Sequence, residues 1–167
     1  MKKLLFLLLL FPAFSFSQSM NNEKLETLYT TVSDSIKGQL GSWEFYIKQV
    51  PIISITDENH NRMRIISPIA DSNSLSEDML KAMLVANFHT ALDVKYAVSD
   101  GILWSVFIHP LKELSERQVK DAVSQVYYAN INFGTTFAST SLTFPSKLNV
   151  DDVSPNELKE KKTIQKL

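Results

Sequence analysis

Asp100-Gly101, preceded by Ser99, stands between two segments of alternating polarity, and this stretch constrains the fold more than any other. Val94, Tyr96 and Val98 share one face before it; Ile102, Trp104, Val106 and Ile108 share one face after it. Alternation with period two marks a strand, because successive side chains point to opposite faces. Asp-Gly between such arms predicts a hairpin, since both central residues of its tight turn need φ > 0. Pro110 ends the return arm. An antiparallel pair is therefore required, and one pair alone is too small to be stable.

The flanking segments supply the rest of a core. Leu25, Leu28, Tyr29, Val32 and Ile36 form a helical stripe, so the sequence predicts a helix from Asn22 to Lys37, closed by Gly38 and Gly41. Trp43, Phe45 and Ile47 then alternate with Glu44, Tyr46 and Lys48, a strand that Pro51 is expected to interrupt. Ile52 to Thr56 and Met63 to Ile69 are β-rich arms around the turn formers Asp57 to Asn61. Pro68 is expected to end the second arm or to mark an edge. Ser74 with Glu77 reads as a capping box for a second helix whose stripe is Met79, Leu80, Met83, Leu84 and Phe88. Ser115 with Gln118 is another, opening a third helix through Val119, Ala122, Val123, Val126 and Tyr127. The expected fold is α+β: an antiparallel five-stranded sheet with three helices, in the order αβββαββα.

The two ends read differently. Lys2 and Lys3 precede an apolar run from Leu4 to Phe14, and Ser15 and Ser17 flank a cleavage point before Gln18. Residues 1–17 are therefore expected to be a secretory signal peptide, too short to span a bilayer, which takes ~20 apolar residues. Residues 18–137 are expected to form one domain and 138–167 a mostly flexible tail, where apolar residues are sparse. The expected location is the periplasm or the extracellular space, with no stable membrane span after signal removal. The chain has no cysteine, which excludes disulfides, thiolate zinc sites and cysteine lipidation. Removing Lys2 and Lys3 from the 17 basic residues leaves 15 against 18 acidic ones, a charge that gives no reason to expect nucleic acid.

Chemical motifs are weak. His60, His89 and His109 share no metal-ligand spacing, although His89 and Asp93 fall close enough to meet at a helix–strand junction. The four glycines are dispersed, so no phosphate loop is read, and no GxSxG elbow occurs. No cofactor and no catalytic residue is expected. The acids Asp57, Glu58, Asp71, Glu77 and Asp78 sit at turns and helix starts, where the helix dipole favours them. Trp43, Phe45, Trp104 and Phe107 read as core aromatics. The last strand has two apolar faces, with Leu103, Phe107 and His109 opposite Trp104. Such doubly apolar strands either pack helices on both sides or leave one side for a partner.

The element order and several local patterns resemble the type III secretion chaperone-like fold, which includes Tir chaperones and YbjN-type domains. The matching residues are Met83, Leu84, Ala86 and Asn87 near the end of the second helix, the Asp100-Gly101 hairpin, Pro110-Leu111, and Leu114-Ser115 opening the last helix. The resemblance covers roughly Asn22 to Phe133. It implies a non-enzymatic module that binds extended protein segments on apolar patches, often as a dimer, with no shared catalytic residue. On that reading Met83, Phe88, Tyr96, Leu103 and Phe107 are the expected partner-binding or dimer face, and the partner is another protein or a second copy. Two other readings stay open: a small-molecule or enzymatic site formed only in three dimensions, and an envelope accessory protein.

Overall fold

The computed structural model describes residues 19–141; the expected signal peptide and most of the expected tail lie outside them. The elements are α1 (Asn22–Val32), β1 (Ser35–Gln39), β2 (Ser42–Ile47), β3 (Val50–Asp57), β4 (Arg62–Asp71), α2 (Glu77–His89), β5 (Lys95–Ser99), β6 (Ile102–His109) and α3 (Glu116–Ile131). The strands form one antiparallel sheet in the order β1-β2-β3-β4-β6-β5. The α+β class and the three helices agree with the sequence reading. The strand count does not: the described residues form a sheet of six strands, and the expected five is corrected.

The extra strand comes from the end of the first helix. The α1 N-cap is Asn21, whose side chain accepts from the Lys24 N–H. At the other end, the Ser33 N–H and hydroxyl both bond the Tyr29 carbonyl, and the helix ends at Val32 because Ser33 itself is extended (φ −107°, ψ 153°). Ile36, which matches the helical stripe, instead pairs with Phe45 as part of β1. Gly38 lies at φ 127°, and a Cβ there would sit 2.3 Å from the Ser42 carbonyl oxygen, so only glycine fits.

The expectation that Pro51 interrupts the ladder is also corrected. Pro51 does not break the ladder; it lies within β3, opposite Tyr46. The β2–β3 turn comes earlier, at Lys48 (φ 46°) and Gln49 (φ 71°), both in the left-handed region as a type I′ turn requires. The Asp34 carboxylate accepts from the Lys48 N–H at 2.6 Å and helps to hold it. Pro68 does not end β4, which runs to Asp71, but the β3–β4 pairing stops at Ile66, so Pro68 pairs with β6 alone and lies at a local edge. The β4–β6 register then shifts between Pro68 and Ala70. The Ser74–Glu77 capping box is replaced by a 3-10 turn at Ser72–Ser74, and Ser76 caps α2 by accepting from Met79 N–H. The Ser115–Gln118 box is present in full.

The core lies on one side of the sheet. Trp43, Phe45, Ile52, Met63, Ile65, Leu103 and Phe107 point into it and meet Leu25, Leu28 and Tyr29 of α1 and Val119, Ala122, Val123 and Val126 of α3. Tyr29 stacks on Phe45 at 4.6 Å and meets Trp43 edge-on at 5.5 Å. Three buried serines on the central strands let helices approach closely. Ser105 donates to the Val126 carbonyl (3.0 Å), Ser67 donates to the Pro51 carbonyl (2.7 Å) and accepts from Asn130, and Ser54 bonds the Tyr29 hydroxyl (2.7 Å). Burial raises the Tyr29 phenol pKa well above its ordinary value, with the Ser54 bond opposing the rise. The first residues of the expected tail belong to the domain: Ser139 is buried and donates to the Ala91 carbonyl at 2.7 Å.

Candidate functional site

Strand alternation puts a second set of side chains on the other face of the sheet. Reading the register across the strands, the central row is Lys37, Glu44, Ile53, Ile66, Val106 and Lys95. One flanking row carries Ile55, Arg64 and Ile108; the other carries Pro68, Trp104 and Ala97. The described helices pack on the opposite face, so no described helix covers these isoleucines and the valine. Ile55 is 47% exposed and Ile108 57%, while Ile53, Ile66, Trp104 and Val106 are half-buried by one another. The Trp104 indole N–H is satisfied by the Ser99 carbonyl (3.3 Å), leaving its ring as apolar surface. At the β1–β2 side the face turns polar. Lys37 pairs with Glu44 at 3.2 Å, and the Tyr46 hydroxyl donates to Glu44 at 2.7 Å. The Tyr46 bond, then Lys37, hold the Glu44 carboxyl below the usual range.

A second exposed apolar feature runs along α2. Leu80, Leu84 and Phe88 recur every fourth residue, with Val85 beside them; Leu84 is 70% exposed and Phe88 81%. The helix buries only Met83 and Ala86 on its inner side. Near its end, the Asn87 side chain accepts from the Tyr96 N–H (2.7 Å) and donates to the Tyr96 carbonyl (3.1 Å). Asn87 thus occupies the outward backbone groups of β5 as a neighbouring strand would, and blunts that sheet edge.

Of the residues expected to form a partner face, the structure brings only Phe88 to the surface. Met83, Tyr96, Leu103 and Phe107 are buried in the core. Burial also raises the Tyr96 phenol pKa, and its hydroxyl donates to the Ala129 carbonyl. The expected pairing of two apolar faces on the last strand is present, but the helices cover the Leu103–Phe107 side and leave the Trp104–Ile108 side open. The signal that distinguishes them is in the sequence. Ser54, Ser67 and Ser105 alternate in step with Ile52, Ile65 and Leu103, and small side chains mark the face that a helix backbone approaches.

The polar candidates sit apart from this face or are already engaged. The His60 ring lies 2.7 Å from the Asp57 carboxylate in an exposed turn, His89 meets Phe88 edge-on, and His109 stacks on Phe107. Asp93 does not meet His89. Its carboxylate accepts from the Gln125 amide, which also donates to Asp121 (3.1 and 2.8 Å). These groups, with Lys95 and His109, line a cleft of about 440 Å³ between β6 and α3. Burial lowers the Lys95 ammonium pKa, offset in part by Asp93, and the ammonium donates to the Leu92 carbonyl. Among the described residues no cluster of three or more histidines and acids could hold a metal, and no helix is long and apolar enough to cross a membrane.

No family model and no curated protein matches the sequence. Among solved structures, the chain is similar to one in the HopA1–SchA chaperone–effector complex. That match has 12% identity, covers 66% of this chain and 95% of that chain, and has a TM-score of 0.48. The likeness is loose, and the functional reading rests instead on the surfaces described above.

Proposed function

We propose that the chain is a non-enzymatic protein-binding module that seats an apolar segment of a partner on the open face of its sheet. The observation that carries this is the one-sided layering: Ile53, Ile55, Ile66, Trp104, Val106 and Ile108 form a contiguous apolar surface that no helix among the described residues covers. A patch of this kind, rimmed by Lys37, Glu44, Arg64 and Lys95, has the make-up of an interaction site. Export to the periplasm or beyond is part of the same proposal, resting on Lys2, Lys3 and the apolar run to Phe14.

The test is a binding titration with a synthetic extended peptide carrying leucine at alternate positions. Ile66→Thr with Val106→Thr leaves the strands β-branched and changes only the open face. The double variant is expected to bind about tenfold more weakly, a difference of ~1.4 kcal/mol. Equal affinity in a variant with unchanged circular dichroism rejects the face as the site.

The α2 ridge supports a second, compatible reading, a homodimer. Leu84 lies midway between Leu80 and Phe88, so an antiparallel crossing about a two-fold axis would set Leu84 against its own copy. Light scattering tests it: a dimer that dissociates on Leu84→Lys is expected, and a monomer at high concentration rejects it.

A further inference from the structure

One end of the open face carries two arginines that no ion pair engages among the described residues. Arg62 and Arg64 alternate with Met63 on β4, so both guanidinium groups lie on the open side while Met63 enters the core. Arg64 sits between Ile55 and Ile108 in the register, one row from Ile66. Both arginines are exposed, and among the described residues neither has an ion pair or a hydrogen bond from its side chain. Asp57, opposite Arg62, is an acid bordering the same end of the face. Its carboxylate accepts from the His60 N–H at 2.9 Å and lies 2.7 Å from the ring nitrogen. Ile55, Ile108, Asp57, Arg62 and Arg64 border a shallow hollow of about 260 Å³. Its floor is apolar, and its rim carries two arginines against one carboxylate, a net positive charge.

We propose that this end of the face selects partner segments that carry a carboxylate next to apolar side chains. The inference rests on the docking role proposed above and adds the chemistry of the partner. A segment running along β4 over Ile66 reaches Arg64 and then Arg62, with successive same-face positions ~7 Å apart. An aspartate or glutamate there meets a planar guanidinium suited to bidentate pairing, beside a surface from which the segment has displaced water. A lysine or arginine at that point meets like charge, which gives discrimination as well as affinity.

Three synthetic peptides of one length separate the two claims. Each carries leucine at alternate positions, and they differ only in a central glutamate, glutamine or lysine. Fluorescence anisotropy is read for the wild-type chain, for Arg62→Gln with Arg64→Gln, and for Ile66→Thr with Val106→Thr. The glutamate peptide is expected to bind about tenfold more tightly than the glutamine peptide, and the lysine peptide more weakly than both. The gap is expected to close in the arginine double variant and to shrink as salt rises. Equal binding of the glutamate and glutamine peptides, both weakened by the isoleucine–valine double variant, overturns the charge selection and leaves the docking face standing. A gap that survives in the arginine double variant also overturns it. Failure of all three peptides to bind overturns the docking role and this inference with it.

Discussion

Asn87 offers a perturbation whose size follows from two distances. Its amide bridges the N–H and the carbonyl of Tyr96, at 2.7 and 3.1 Å, in a partly buried setting at the β5 edge. Replacing it with alanine removes both bonds. Each is worth about 1 kcal/mol net, and water at the edge spares the strand the full desolvation penalty. Against this, alanine raises the helix propensity of α2 by about 0.6 kcal/mol. The expected loss is therefore about 1–2 kcal/mol, read as a lower urea midpoint with an unchanged slope. Hydrogen exchange adds a local reading: the Tyr96 amide, protected by Asn87, is expected to exchange at least about tenfold faster in Asn87→Ala. The freed edge is also expected to promote concentration-dependent self-association, because an uncovered strand is a pairing template. A loss below about 0.5 kcal/mol together with unchanged exchange at Tyr96 would refute the edge-cap reasoning.

Two other perturbations test the fold. Gln49→Gly relieves a side chain at φ 71°, so stability is expected to rise by about 1 kcal/mol in thermal or chemical unfolding, and a decrease would contradict the turn assignment. Ser54→Ala leaves the Tyr29 hydroxyl buried without its 2.7 Å partner and is expected to cost about 1–3 kcal/mol, while adding Tyr29→Phe recovers part of that loss in a double-mutant cycle.

How far the sequence reveals the fold can be judged residue by residue. Asp100-Gly101 announces its hairpin because aspartate and glycine both tolerate positive φ, and the structure has Asp100 at 52° and Gly101 at 75°. Lys48-Gln49 makes the same two-residue turn without any such signal. Its conformation is imposed by flanking strand pairing and by the Asp34 carboxylate, a contact made across sequence. Ile36 fits both the helical stripe and a strand; the chain turns extended at Ser33, and pairing with Phe45, a contact across sequence, makes it a strand. The docking face shows the same limit. Alternation on β6 shows that two apolar faces exist, but period two is blind to which of them the helices cover. The serines at 54, 67 and 105 carry that information, and with it the inward placement of Leu103 and Phe107 and the outward placement of Trp104 and Ile108.

The most direct measurement of the docking claim uses the chain's own indoles. There are two tryptophans, one buried at Trp43 and one on the open face at Trp104. The Trp43 indole nitrogen has no hydrogen-bond partner among the described residues, so Trp43→Phe gives up no hydrogen bond and leaves Trp104 as the single reporter. On titration with the alternating-leucine peptide, Trp104 emission is expected to shift to the blue and acrylamide quenching to fall, in step with binding. A peptide that binds while Trp104 keeps its spectrum and its quenching would place the site elsewhere on the molecule.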